Sequence, residues 1–139
     1  MRAAHLFPLN RIRDPYATII VWGCRAVLAL AVVVVVYGSL GPTDPAAVPG
    51  WIPWDKAQHF IAFLGLSAIA LIAFANVPSL FVGLIVFTLG LVIELVQPAF
   101  GRTQSASDVI ANLTGILTVL GLVFLAEVRV RLRTAVAKS

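Results

Sequence analysis

The sequence predicts an all-α membrane protein: a four-transmembrane-helix bundle with both termini in the cytoplasm. The chain of 139 residues is 60% hydrophobic and only 12% charged, and its mean hydropathy is +1.01. Several of its apolar runs reach membrane-spanning length. A water-soluble domain of this size could not cover so much apolar surface with so few charges. We therefore expect one domain whose apolar faces are solvated by the bilayer.

Four apolar segments are predicted to cross the membrane. They run from Ile19 to Tyr37, from Lys56 to Ala75, from Leu80 to Gln97 and from Ser107 to Leu125. About nineteen residues at a rise of 1.5 Å span roughly 28 Å, which is enough for the hydrocarbon core. Asp14 before Pro15 predicts the start of the first helix, and Pro98 predicts the end of the third. The first segment is too long for a cleaved signal peptide, so we expect it to be retained.

The basic residues predict the orientation of the bundle. An even number of spans places both termini on one side of the membrane, and this side carries Arg2, Arg11, Arg13, Arg25, Arg129, Arg131, Arg133 and Lys138. The opposite side carries Lys56 and Arg102. The positive-inside rule therefore places both termini in the cytoplasm. Basic cytoplasmic segments, residues 1–16 and 127–139, are expected to flank a transmembrane domain of residues 17–126.

Composition also excludes several classes of function. The net charge of +4 does not indicate nucleic-acid binding, because the charges cluster at the termini and form no basic, aromatic groove pattern. The single cysteine, Cys24, cannot form an internal disulfide and is interpreted as an apolar filler. A transporter is disfavoured because the inner halves of the second, third and fourth helices lack polar groups for a path across the membrane.

The polar side chains capable of chemistry gather within about two helical turns of the outer surface. They are Asp55, Lys56 and His59 at the start of the second helix, Glu94 and Gln97 at the end of the third, and Arg102, Ser105, Asp108 and Asn112 around the start of the fourth. Spacings of three or four residues place the members of each group on one helix face. Because charge facing lipid is costly, these faces should meet in a pocket open to the outer leaflet. Gly115 would allow a neighbouring helix to approach closely.

Helix capping is the structural alternative for two of the carboxylates. Asp55 followed by Gln58 is typical of a capping box at the start of a helix. Ser105 followed by Asp108 allows the same interpretation at the start of the fourth helix. Both residues therefore have a structural and a chemical interpretation.

The deeper polar residues have other structural alternatives. Glu94 lies too deep to be a cap, and its alternative role is an ion pair with Lys56 or Arg102 that locks helix ends together. For His59 the alternative is a hydrogen bond inside the bundle. Asn112 could likewise form a hydrogen bond between helices.

A metal site was considered and is not predicted from the sequence. His59, Glu94 and Asp108 are ligand types that suit zinc or manganese. No tight motif such as H-E-x-x-H supports the assignment, so we expect no metal and no other cofactor. A serine nucleophile beside His59 has no support from spacing either, although Ser105 and Ser107 are near in topology.

Five short motifs follow one another along the chain: Asp55-Lys56-x-x-His59-Phe60-x-x-Phe63, Glu94-x-x-Gln97, Gly101-Arg102, Ser105-x-x-Asp108 and Asn112-x-x-Gly115. This ordered set resembles the VanZ-like family of small bacterial membrane proteins, over roughly Trp54 to Leu125. The resemblance implies a multi-pass protein of the bacterial plasma membrane with a role at the cell envelope. It also implies a link to resistance against the glycopeptide teicoplanin. The biochemical activity of that family is poorly defined, so the resemblance does not supply a reaction.

Two functions fit these observations. The first is a site at the extracytoplasmic face that binds or modifies a lipid-linked envelope molecule, such as a lipid-linked glycan or a glycolipid. Cationic side chains would hold its phosphate or another anion, and the histidine with a carboxylate would provide acid and base. The predicted catalytic residues are His59, Glu94 and Asp108, and the predicted substrate-binding residues are Lys56, Gln97, Arg102, Ser105, Asn112 and Asp55.

The second function is non-enzymatic. The protein would be an envelope interaction or scaffold module, and its polar cluster would only clamp helix ends together. The expected partners are membrane lipids in either case. Small residues on several helix faces would also allow a homo-oligomer.

Overall fold

The computed structural model describes residues 15–41 and 55–137, and within these ranges the chain is helical without strands. Its four long helices are α1 (Pro15–Leu40), α2 (Asp55–Ala73), α3 (Ser79–Val96) and α4 (Ala106–Val136), and a short 3-10 helix (Gln97–Phe100) follows α3. Each long helix has the length and apolar composition needed to cross a membrane. The predicted class, an all-α protein with four helices long and apolar enough to span a membrane, is thereby confirmed; the cytoplasmic position of the termini stays a prediction. The predicted cap at Asp14 lies outside the described residues.

Helices α2 and α4 form the tightest contact of the bundle, and they cross at Gly115. A Cβ atom on this glycine would lie 2.5 Å from the carbonyl oxygen of Phe60 and 2.9 Å from the backbone nitrogen of Leu64. No larger residue fits without moving one backbone away from the other. The close approach predicted for Gly115 is thus observed, and α2 is the helix that approaches.

The apolar core lies between α2, α3 and α4. Its buried residues are Phe63, Leu66, Ala70, Val82, Val86, Ile93 and Ile116. Large apolar side chains elsewhere on all four helices are exposed, as expected for a protein whose outer surface faces lipid tails rather than water. The buried core residues therefore come from three of the four helices, and partly buried residues of α1, such as Leu28 and Val32, pack against them.

Helix α1 lies at the edge of this bundle and has no buried residue. Near its middle, the Arg25 Nε atom donates a hydrogen bond to the Ala73 carbonyl oxygen at the C-terminus of α2, at 3.1 Å. The guanidinium group also lies 4.8 Å from the ring centre of Trp22 and 5.5 Å from that of Phe74. A cation at a helix C-terminus satisfies a carbonyl that has no partner within the helix. Arg25 thus fastens α1 to α2.

Helix α4 is longer than the predicted span. Hydropathy alone ends the span near Leu125, whereas the helix runs on to Val136. Its 31 residues correspond to about 46 Å, against about 30 Å for a hydrocarbon core. The added turns contain arginine, leucine and alanine, which favour helix without being apolar throughout. Most of the predicted basic C-terminal segment is therefore helical.

The end of α3 is shaped by Pro98 and Gly101. The helix stops at Val96, as predicted from the proline, and the chain continues as the 3-10 helix. Gly101 ends this turn with φ of 73°, a left-handed conformation that glycine adopts at little cost. Its N–H donates to the Pro98 carbonyl oxygen, and the N–H of Arg102 donates to that of Gln97, each at 3.2 Å. This turn directs Arg102 back towards α1.

Candidate functional site

Three ionisable side chains from three helices meet at one end of the bundle. His59 Nδ1 lies 3.8 Å from Glu94 Oε1, and His59 Nε2 lies 3.8 Å from Asp108 Oδ2. One ligand atom from each residue lies within 4.8 Å of the others. The exposed fractions are 8% for His59, 0% for Glu94 and 5% for Asp108. The three predicted catalytic residues are thus neighbours, and their chemical roles stay predictions.

The positions of these residues in their helices explain why they meet. His59 lies in the second turn of α2, Glu94 in the last turn of α3 and Asp108 in the first turn of α4. Because successive helices run in opposite directions, these three helix ends lie at the same end of the bundle. The N-terminus of α4 carries a partial positive charge, which favours the two carboxylates beside it.

Asn112 orients the imidazole ring. Its Oδ1 atom lies 3.1 Å from His59 Nδ1, and the asparagine is 1% exposed. Because an amide oxygen only accepts hydrogen bonds, this contact places a proton on Nδ1. The Nε2 atom then faces Asp108. The hydrogen bond inside the bundle that was an alternative role for both residues is therefore formed, and it sets the tautomer of the site.

Ser105 supports Glu94 through its backbone. Its N–H donates to Glu94 Oε2 at 3.4 Å, while its hydroxyl lies 2.6 Å from the hydroxyl of Ser107. Ser105 is the N-cap residue of α4, as expected, but its side chain makes no capping hydrogen bond. Asp108 faces His59. The capping box that was an alternative for Ser105 and Asp108 is not the arrangement observed.

Gln97 and Arg102 contact α1 rather than the three ionisable residues. Gln97 is buried, and its Nε2 atom donates to the Ser39 carbonyl oxygen at 3.4 Å. The Arg102 Nη1 atom donates to the Gly38 carbonyl oxygen, also at 3.4 Å. This hydrogen bond of Arg102 goes to α1, and not to Glu94, its ion-pair partner in the structural alternative. Sequence reasoning missed this role because the partners are backbone carbonyls, which no residue pattern reveals.

The two predicted substrate-binding residues at the start of α2 are Lys56 and Asp55. Lys56 is exposed on the first turn of the helix, where no side-chain contact to the buried cluster is seen among the described residues. Asp55 is the first residue of α2, and its side chain lies outside the described part of the structure. The predicted capping role of Asp55 therefore stays a prediction.

A cavity of about 220 Å³ opens between α1 and α2 beside the cluster. The end of α1 forms one wall, including Gly38 and Ser39, and Gln58 and His59 on α2 form another. Arg102 also lines it, together with the apolar Val34, Val35, Ala62 and Phe63, and we call it the polar cavity for its histidine, glutamine and arginine. Gln58 was not among the predicted site residues, although its position next to His59 is a signal that could have nominated it.

A second cavity, of about 360 Å³, lies further along α1 and α2 and also touches α3. Its walls include Leu28 and Val32 from α1 and Leu66 and Ala70 from α2, and every lining residue is apolar. The polar cavity lies nearer the C-terminus of α1 and the N-terminus of α2, and the apolar cavity lies next to it along both helices.

Comparisons with protein families, with curated proteins and with solved structures found no match for this chain. The motifs quoted above and the geometry of the site are what bear on its function.

Proposed function

We propose that this chain is a VanZ-like protein of the bacterial plasma membrane whose site binds or modifies a lipid-linked cell-envelope molecule. The observation that carries the proposal is the succession of two cavities along α1 and α2. The first contains His59, Gln58 and Arg102, and the second is wholly apolar. A lipid-linked molecule has the same order of parts, a polar headgroup followed by a hydrocarbon chain.

Arg102 is suited to hold an anionic headgroup. A guanidinium group has five N–H donors and binds phosphate or carboxylate in a planar, two-point geometry. One donor is used in the hydrogen bond to Gly38, at 3.4 Å. The side chain is partly exposed and lines the cavity, so a ligand there can reach its other donors. Lys56 would add positive charge at the same end of α2.

The reacting centre in this proposal is the cluster of His59, Glu94 and Asp108. His59 belongs to the wall of the polar cavity and is the member of the cluster that a headgroup would meet first. The two carboxylates lie behind it at 3.8 Å from its ring nitrogens. Buried ionisable groups next to a cavity are typical of functional sites.

The apolar cavity suits a prenyl or acyl chain. The α1 residues that line the two cavities run from Leu28 to Ser39, which is about 16 Å along the helix. Undecaprenyl-linked sugars and phospholipid-like glycolipids are the natural class of ligand. The excess of basic residues near both termini supports an extracytoplasmic position for the site, where a glycopeptide such as teicoplanin also acts.

The experiment compares two buried glutamates. Glu94→Gln removes a charge from the cluster, and Glu127→Gln removes one from a buried position on α4, about 28 Å along the helix from Asp108. Each variant is expressed in a deletion strain, and glycopeptide sensitivity and thermal stability of the purified protein are measured. We expect Glu94→Gln to fold like the wild type and fail to complement, while Glu127→Gln complements. Complementation by a folded Glu94→Gln protein would reject the site.

A clamp is the second candidate function, and one observation favours it. The cluster joins α2, α3 and α4, while Gln97 and Arg102 join the same end of the bundle to α1. Polar contacts thus link all four helices at one end. In this case the thermal stability of Glu94→Gln and its ability to complement would fall together.

A further inference from the structure

We propose that His59, Glu94 and Asp108 bind one divalent metal ion of the zinc or manganese class inside the bundle. The donor set is one imidazole nitrogen and two carboxylates, which suits these ions. Three different helices supply the ligands, and each residue is more than nine-tenths buried. Folding of the bundle therefore assembles the donor set, although the spacing of the residues in the sequence does not indicate a metal.

The hydrogen bond from His59 to Asn112 prepares the imidazole as a ligand. A histidine that binds a metal through one ring nitrogen commonly donates the other N–H to an oxygen acceptor, which fixes the tautomer and the ring orientation. Here Nδ1 donates to Asn112 Oδ1 at 3.1 Å, so in the neutral ring the lone pair is on Nε2. That atom points towards Asp108 Oδ2, another electron-pair donor, at 3.8 Å.

The carboxylate of Glu94 has similar support. The backbone N–H of Ser105 donates to its Oε2 atom, while Oε1 is the oxygen that lies nearer to His59. One oxygen is thus held by the start of α4, and the other faces the cluster. A hydrogen-bonded carboxylate of this kind is a typical metal ligand.

The spacing of the donor atoms is close to that of a metal site. The 3.8 Å between His59 Nε2 and Asp108 Oδ2 is longer than a hydrogen bond, which spans about 2.7–3.2 Å. In a tetrahedral zinc site with bonds of about 2.1 Å, two ligand atoms lie about 3.4 Å apart. Since one donor atom from each residue already lies within 4.8 Å of the others, small rotations of the side chains would complete the geometry.

A divalent cation would balance the charge of two ionised carboxylates in this cluster. Two ionised carboxylates carry two negative charges, whereas a protonated His59 supplies one positive charge. Buried charge in a low-dielectric interior is costly unless it is compensated. A divalent cation compensates both carboxylates and leaves the imidazole neutral, in agreement with the tautomer set by Asn112.

A catalytic role for the ion rests on the proposed function, whereas binding of the ion to the three residues does not. The cluster adjoins the cavity that contains Arg102, so a bound cation would polarise a phosphoryl or carbonyl oxygen of the headgroup. His59, Glu94 and Asp108 are then ligands, in place of the acid and base roles predicted from the sequence.

The test uses the full chain purified in detergent. The protein is stripped with a chelator and titrated with Zn²⁺ or Mn²⁺, and the bound metal per chain is measured by elemental analysis and calorimetry. We expect one ion per chain for the wild type and for the control Glu127→Gln. Asp108→Asn and Glu94→Gln should each lose at least tenfold in affinity. The melting temperature of the wild type should rise with added metal.

Three outcomes would overturn the metal site. They are a folded wild type that binds neither ion, binding that Asp108→Asn leaves unchanged, and an equal loss of binding in Glu127→Gln. A zinc-edge absorption spectrum of the wild type without an imidazole ligand would overturn it even if the variants failed to fold. A protein without metal whose Glu94→Gln variant folds but fails to complement would leave the proposed function standing.

Discussion

At the residue scale, Gly115 controls how closely α2 and α4 approach beside the ionisable cluster. Its backbone touches α2 between Phe60 and Leu64, one turn beyond His59. On α4, Asn112 lies about one turn before the glycine and Asp108 about two turns before it. The contact between His59 and Asn112 therefore depends on a crossing that only a residue without a side chain permits.

Gly115→Ala should destabilise the protein and displace His59 from Asn112. The added Cβ would lie 2.5 Å from a backbone oxygen, and overpacking of this kind costs roughly 1–3 kcal/mol. Gly121→Ala on the same helix is the control, because nothing lies within 4 Å of its Cβ position. Thermal unfolding in detergent measures both variants. Equal melting temperatures would show that the helices do not cross at Gly115.

The buried polar residues of the site could be predicted because the sequence alone shows the physical properties that mark them. His59, Glu94, Asp108 and Asn112 stand out because ionisable or amide groups in apolar helices are costly, and their spacing assigns each to a face. Sequence reasoning did not identify the partner of Arg102. The observed partner is a backbone carbonyl of α1. Because every residue has such a carbonyl, no residue type in the sequence marks it as a partner.

At the scale of single elements, α1 differs from the other helices in how it is attached. It has no buried residue, and hydrogen bonds hold it near its middle and at its C-terminal end. Arg25 bonds to the end of α2, and Gln97 and Arg102 bond to the last turn of α1. Between these two points, partly buried apolar residues of α1 pack against the core.

Arg25→Met should weaken the attachment of α1. The variant keeps an unbranched apolar stem and removes both the hydrogen bond to Ala73 and the contacts with two aromatic rings, which together are worth about 1–2 kcal/mol. Arg129→Met, at an exposed position of α4, is the control and should change stability little. The measurement is the melting temperature in detergent. An unchanged value for Arg25→Met would mean that apolar contacts alone hold α1.

The length of α4 shows a limit of prediction from hydropathy. An apolar window locates the part of a helix that contacts lipid, and it ends where charged residues begin. Helix formation depends on backbone hydrogen bonds and side-chain propensity, and these continue from Leu125 to Val136. The end of α3 was predicted more closely because Pro98 acts directly on the backbone.

At the scale of the whole molecule, the number of spans was predictable and their packing was not. Each span is defined by its own residues, so four apolar runs predict four helices. Apolar side chains that face lipid and those that face other helices have the same composition, so the sequence does not distinguish an edge helix from a central one. The structure places α1 at the edge and α2 between α1 and α4.

The predicted topology can be tested with single cysteines in a Cys24→Ser background. Gln104→Cys lies in the exposed loop before α4, and Ala137→Cys lies just after it. From the excess of arginine near the termini, we expect a membrane-impermeant maleimide added to intact cells to label the first variant only. The second should react after the membrane is opened. The reverse pattern would place the site in the cytoplasm.

The position of α1 outside the core has a consequence for biogenesis. Helix α1 precedes the other three helices in the chain, has no buried residue and is long and apolar enough to span a bilayer, so it can stay there before the others are made. The last helix supplies Asp108 and Asn112, so His59 and Glu94 enter the membrane before the groups that surround them exist. A nascent chain that stops before α4 would carry two ionisable side chains in lipid, where charge is costly. The same polar cluster that forms the site would thus report whether α4 has been synthesised.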